Sequence, residues 1–265
     1  MLVRIRFIFL CFAAAAILFS GCSRPKSAIT MAGSTAFQPF AEKLAERYMA
    51  MNPGISITVQ GGGSAVGIQS TLSGTAQIGM ADLVELPVEA KNLESVIVAR
   101  DGIAMVVHPA NPVGQITMDQ IRNVFNGKIQ SWKDLGGADS PITVVSREAG
   151  SGTRMSFEQI VKDIKLTPDA IIQDSNGTIR ETVANDVNAI GYLSHGLLNE
   201  KTKALSVDGR ESSVQEIMSG SYKLVRPVFL LTAGKPDGEV AIFIEYLLSA
   251  DAQKILQSSG LIPIK

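Results

Sequence analysis

The stretch SREAGSGTR, residues 146–154, sets an arginine ahead of a Gly-Ser-Gly-Thr turn and then a segment with helical spacing. Two other stretches share the plan, AGSTAF at 32–37 and GGGSAVG at 61–67. Each follows strand-like sequence and puts small hydroxyl residues just before a helix. The first turn of a helix carries unpaired N–H groups and partial positive charge, so it takes an oxyanion without a formal cation. Ser34, Thr35, Ser64, Ser151 and Thr153 add hydroxyls, and glycine lets the backbone come close. Singly, each stretch is an ordinary Ser/Thr N-cap. Three together point to one shared oxyanion pocket.

Two charged residues sharpen that reading. Arg147 ends a strand just before the third loop, and its planar fork suits two oxygens of a tetrahedral anion. Its plainer role is a salt bridge, for instance to Glu148. Asp82 ends another strand, where a carboxylate beside an anion should repel it. It becomes useful if the anion carries a proton, because a carboxylate accepts that hydrogen bond. Phosphate at neutral pH is protonated and sulfate is not, so Asp82 would admit the first and reject the second. The plainer role for Asp82 is a cap or turn residue.

Other chemistries fit poorly. AGSGTR lacks the lysine of a P-loop, and GGGSAVG has the wrong register for a dinucleotide loop. His108 and His195 are isolated, and no serine lies in a GxSxG elbow. A phosphatase would need a nucleophile with its base, or metal ligands. The only cysteines, Cys11 and Cys22, lie near the start, so the body has no disulfide and no thiol nucleophile. Neither a cofactor nor a metal is expected.

The start itself reads as a leader. Arg4 and Arg6 precede an apolar run from Phe7 to Phe19, then Ser20, Gly21 and Cys22. This is a secretory signal with a processing site, and the run is short for a membrane span. LFSGCS (18–23) also resembles a bacterial lipobox, with Phe19 where leucine is usual. That resemblance implies lipidation of Cys22 after removal of residues 1–21. Removal takes the net charge from 24 − 25 = −1 to 22 − 25 = −3. A slightly acidic body argues against nucleic acid as a partner, and any anion must be held by local dipoles.

The elements that must position these loops alternate strand and helix. KSAIT (26–30), ISITVQ (55–60) and AQIGMADL (76–83) read as strands; 34–54 reads as a helix with Phe40, Leu44, Tyr48 and Met51 on one face. A second set follows, with helices near 117–127 and 153–164 and strands at 142–148 and 189–194. Phe157, Ile160, Val161 and Ile164 keep core spacing in the second of these helices. Two β-rich runs, 95–112 with a break at Asp101-Gly102 and 222–234, bracket this block, and one helix over 239–260 closes the chain. The class is α/β with a largely parallel sheet. The two runs read as crossovers between two lobes, 28–106 plus 227–265 and 107–226, with the site between them.

GSTAF, GGGSAVG, IGMAD, SREAGSGTR, AIGY and RPVF, in this order, resemble the phosphate-binding lipoproteins of bacterial ABC phosphate importers, the PstS family. The resemblance covers nearly all of the mature chain, and its arginine–GSGT element is the most specific part. It implies a two-lobed periplasmic-binding-protein fold of type II that captures inorganic phosphate and hands it to a membrane permease. It also implies a monomer in the periplasm or at the cell surface, lipid-anchored to the membrane at Cys22, and not an enzyme. By motif match, Ser34, Thr35, Ala36 and Phe37 supply first-loop contacts and Ser64 the second. Asp82 is the proton acceptor, and Arg147, Ser151, Gly152 and Thr153 supply the rest. Many members pair the arginine with an acid two positions on, where this chain has Ala149. Either another acid orients Arg147 or Arg147 carries more of the phosphate charge. Two alternatives stay open: a binder of tungstate, molybdate or sulfate, and a phosphoryl-transfer or hydrolytic enzyme using Ser34 or Ser151.

Overall fold

The computed structural model describes residues 27–264. The leader, the processing site and Cys22 lie outside the described residues. The chain opens with β1 (Ser27–Gly33), α1 (Gln38–Met51), β2 (Ile55–Gln60), α2 (Ser64–Leu72), β3 (Ile78–Asp82) and the long β4 (Glu94–Val107). Next come β5 (Gln115–Ile116), α3 (Met118–Phe125), β6 (Thr143–Arg147), α4 (Gly152–Val161), β7 (Ile171–Gln173), α5 (Asn176–Ala184) and β8 (Ala189–Ser194). The short β9 (Lys203–Ala204), β10 (Ser206–Val207) and α6 (Val214–Met218) lead to β11 (Val225–Thr232), α7 (Gly238–Leu247) and α8 (Ala250–Ser258).

One sheet runs in the order β2-β1-β3-β11-β4-β8-β6-β7, with β9 also on β4. Its flanks are parallel: β1 with β2 and β3, and β6 with β7 and β8. Its middle is antiparallel, because β11 runs against β3 and β4, and β4 against β8. The expected largely parallel sheet is thus corrected at the centre, where strands that return between the lobes must reverse direction. The expected break at Asp101-Gly102 is corrected too, since β4 passes through it unbroken. What changes there is the partner: Gly102 pairs with Val225 of β11, and Ile103 with Ser194 of β8.

Two large clusters of buried apolar side chains lie on the two sides of that handover. One joins β1, α1, β3, the first half of β4, β11, α7 and α8 through residues such as Met31, Leu44, Met80, Leu230 and Phe243. The other joins the second half of β4 to α3, α4 and β8 through Met105, Phe125, Phe157 and Tyr192. The single closing helix is corrected to two. Ser249 accepts from Ala252 N–H and caps α8, because a Ser followed by Ala-Asp starts a new helix better than it continues one. In α1, Phe40, Leu44 and Tyr48 are buried as expected, but Met51 is 54% exposed at the fraying end. In α4, Phe157 and Val161 reach the core, Ile160 packs against it from a half-buried position, and Ile164 lies beyond the helix end.

The site needs one close approach. Gly33 ends β1 at φ 134°, and a Cβ there would come 2.2 Å from the Met80 carbonyl and 2.8 Å from Gly67 Cα. Only glycine at 33 lets β1, β3 and α2 converge and turn the loop after β1 over their ends.

Candidate anion-binding site

The loop after β1 turns back on itself through Ser34. Its Oγ, fully buried, accepts from the N–H of Ala36 at 3.2 Å and of Phe37 at 3.0 Å. Both acceptor positions of that hydroxyl are used, so its proton is the part left to offer a ligand. Two lobe-crossing bonds meet on Thr35 Oγ1: Arg147 Nη2 and Asn176 Nδ2 each donate at 3.3 Å. Its proton, too, is left over. Phe37 is buried beneath the loop and, at φ −87°, ψ −20°, leads into α1, whose first turn contains Pro39.

The second loop brings Ser64 to the start of α2. Its Oγ donates to Asp82 Oδ1 at 2.8 Å and accepts from Asp82 N–H at 3.1 Å, which pins the end of β3 to α2. The third loop is capped by Ser151, whose Oγ accepts from Arg154 N–H at 3.3 Å. Its first-turn residues press against Asp82. Thr153 Oγ1 donates to Asp82 Oδ2 at 3.3 Å, and Ser156 Oγ donates to the Asp82 carbonyl at 3.2 Å. A Cβ on Gly152 would fall 2.0 Å from Ser64 Oγ. With the Ala65 N–H bond to the Gly150 carbonyl at 3.2 Å, these contacts hold the two lobes shut. The three loops therefore meet, and with them Ser34, Thr35, Ala36, Phe37, Ser64, Asp82, Arg147, Ser151, Gly152 and Thr153.

Arg147 is 1% exposed. Glu148 grips it with both oxygens, Oε2 on Nε and Oε1 on Nη2, each at 2.9 Å. The carbonyls of Gln173 and Asp174 take further bonds from Nε and Nη2. Glu148 thus does the work of the acid missing at 149. Nη1 alone has no hydrogen-bond partner among the described residues. A buried guanidinium end left unpaired is costly, and a ligand anion would satisfy it.

Asp82, 2% exposed, has company the sequence did not disclose. Arg226 Nη2 lies 2.6 Å from its Oδ2, and the same nitrogen donates to Asp101 Oδ2 at 2.9 Å. Ser194 Oγ donates to Asp101 Oδ1 at 2.8 Å, and Asn176 Oδ1 accepts from Ser194 N–H at 3.0 Å. Arg226, Asp101, Ser194 and Asn176 are buried. Asp101 is pushed above the usual carboxylate range by desolvation, against the pull of Arg226. A signal for the buried charges did exist: Arg226 is a lone charge inside the apolar run LVRPVFLL, and Asp101, next to Arg100, interrupts the apolar run VARDGIAMVV. Asn176 left no such mark.

Around the cleft two arginines face the three carboxylates Asp82, Asp101 and Glu148. The local field does not attract an anion. The donors the cleft offers are helix-start N–H groups, hydroxyls and the free end of Arg147. No serine or threonine of the site is hydrogen-bonded to a histidine, and among the described residues no cluster of three His, Cys, Asp or Glu is placed to hold a metal.

Residues 21–251 match the PBP superfamily domain. The chain is 36% identical over 249 residues to the phosphate-binding protein PstS of Bacillus subtilis, covering 92% of this chain and 83% of that one. The chain belongs to the PstS family. A PstS of Borreliella burgdorferi is 27% identical over 89% of this chain and 90% of its own. Among solved structures, a phosphate ABC transporter substrate-binding protein from Clostridium perfringens, with bound phosphate, superposes at a TM-score of 0.86. It is 39% identical, and the match covers 90% of this chain and all of that one. The PstS-family assignment settles the fold as the two-lobed α/β binding-protein type, and the named relatives are binding proteins. No helix among the described residues is long and apolar enough to cross a membrane.

Proposed function

We propose that this chain captures one inorganic phosphate between its lobes and delivers it to the permease of an ABC importer. The observation that carries this is the buried Arg147, fixed by Glu148 with Nη1 unpaired, where three loops meet and Asp82 stands ready as an acceptor. In this reading Arg147 Nη1 and the first-turn N–H groups of Ser64, Gly152 and Thr153 take phosphate oxygens. The hydroxyls of Ser34, Thr35 and Ser151 donate their spare protons, and the Ala36–Phe37 backbone shapes the first loop. Asp82 Oδ1 accepts one bond from Ser64 and keeps a lone pair for the phosphate proton.

We place the lobes at 28–106 plus 227–265 and at 107–226. Packing of Ile103, Met105 and Val107 in the second core favours shifting the first crossing to Gly102. The protein acts outside the cytoplasm as a monomer, anchored in the membrane by lipid on Cys22, and turns nothing over. Support for the last point is that Ser34 and Ser151 have neither a histidine nor a carboxylate on their hydroxyls among the described residues, while Asp82, which takes bonds from Ser64 and Thr153, is itself paired with Arg226. Assay of the purified protein with a phosphomonoester tests it: no product should form, whereas steady release abolished by Ser34→Ala or Ser151→Ala would make it an enzyme.

A further inference from the structure

Arg226 brings a second cation to the centre of the molecule, and the phosphate contacts above give it no part. It stands on β11 in register with Asp101 of β4, and it is wholly buried. Asp82 is otherwise faced by hydroxyls: Ser64 from α2, and Thr153 and Ser156 from α4. The charged groups packed around it are therefore Arg226 of β11 and, beyond it, Asp101 of β4. Across the cleft, Arg147 of β6 is already held by Glu148.

An aspartate closed off from water beside a bound anion is driven towards its neutral form by desolvation and by repulsion alike. A neutral carboxyl is a hydrogen-bond donor. It would welcome an unprotonated oxyanion, and selection for a proton would vanish. We propose that Arg226 is a specificity-determining positioning residue: by pairing with Asp82 it holds that carboxylate as an acceptor, so that the cleft selects an anion carrying a proton. This rests on the phosphate-binding reading above.

The placement suits the role. β11 is hydrogen-bonded to β3, with Val228 opposite Asp82. Arg226 sits at the second crossing, two residues before Val228 on the strand that is itself paired with β3, so the pair persists when the cleft opens to meet a ligand. As a purely structural bridge Arg226 is poorly served, since its Nε and Nη1 have no partner among the described residues. Buried ion pairs are in any case weak stabilisers compared with apolar packing. Burial also pushes the Asp101 carboxyl up, which biases the arginine's charge towards Asp82.

The test is calorimetry with inorganic phosphate and with sulfate on wild type, Arg226→Lys, Arg226→Gln and Arg226→Gln/Asp101→Asn, each checked for folding by circular dichroism. The double variant removes one of the two carboxylates that would be stranded, so it keeps the question open if Arg226→Gln does not fold. In the folded glutamine variants the phosphate-to-sulfate affinity ratio should fall by about tenfold or more, the effect of one mismatched buried donor or acceptor. Lysine reaches only one carboxylate at a time. In Arg226→Lys, which keeps a charge beside Asp82, the ratio should therefore fall less than in the glutamine variants. Glutamine-variant ratios that match wild type, or a lysine variant that falls as far as the glutamine variants, would overturn the proposal and leave Arg226 a structural bridge. A wild-type protein that binds no phosphate would instead overturn the functional reading on which it rests.

Discussion

Replacing Gly152 by alanine should separate folding from closure. Gly152 opens α4 in one lobe and lies against Ser64 and Asp82 of the other. An added Cβ would come 2.0 Å from Ser64 Oγ, 2.7 Å from the Asp82 carbonyl oxygen and 2.8 Å from Asp82 Oδ1. Ordinary C···O contact is about 3.3 Å or more. The serine hydroxyl can turn aside, but the backbone carbonyl cannot, so the lobes must stay parted by at least a few tenths of an ångström. The closing bonds from Thr153, Ser156 and Ala65 then lengthen. Three such bonds at about 1 kcal/mol each give a loss of roughly 2–4 kcal/mol, or about thirtyfold to several hundredfold in phosphate affinity. Alanine suits a helix better than glycine, so the melting temperature without phosphate should hold or rise slightly. Calorimetry, thermal unfolding and small-angle scattering with and without phosphate read the three quantities. A Gly152→Ala protein that binds phosphate as tightly as wild type and compacts with it would refute the reasoning.

Arg147→Ala should weaken phosphate and its analogues alike by about 2–5 kcal/mol, the cost of losing a desolvated charged contact, as measured by titration at fixed salt. Asp82→Asn presents an amide donor where an acceptor stood, so sulfate should gain on phosphate in that variant and not in Arg147→Ala; an unchanged ratio would make Asp82 only a cap. Asp101 should impose a pH dependence on stability. Its folded-state carboxyl titrates above its ordinary value of 3.8, so its contribution is full below that value and is lost as pH rises through the raised one. Asp101→Asn removes that loss, and its melting temperature relative to wild type should improve from acid to neutral pH. Cys22→Ala should release the mature protein from membranes in a fractionation assay, because several acyl chains are needed for firm anchoring.

The outer strands and the helix starts were legible because each rests on local chemistry. ISITVQ alternates and is β2; the GSGT turn supplies its own cap, Ser151, and is the start of α4. The centre was not legible locally. Nothing in 95–112 says that one strand serves two partners, and the Asp101-Gly102 pair that looks like a turn is the point of handover, set by β11 and β8. The same distance in sequence hid the Arg226 pair. Asp82, Asp101 and Arg226 become neighbours only when β11 returns between β3 and β4. Glu148 was visible as a partner for Arg147, but its two-oxygen grip, which answers the alanine at 149, needed the geometry.

The central claim is that the closed cleft selects a protonated tetrahedral anion and holds it without turning it over. Calorimetric titration of the purified mature protein with phosphate, sulfate and molybdate, at fixed pH and salt, tests it most directly. The account predicts saturable binding of one phosphate, with sulfate and molybdate far weaker. Equal affinity for the three anions, or binding of molybdate in preference to phosphate, would contradict it.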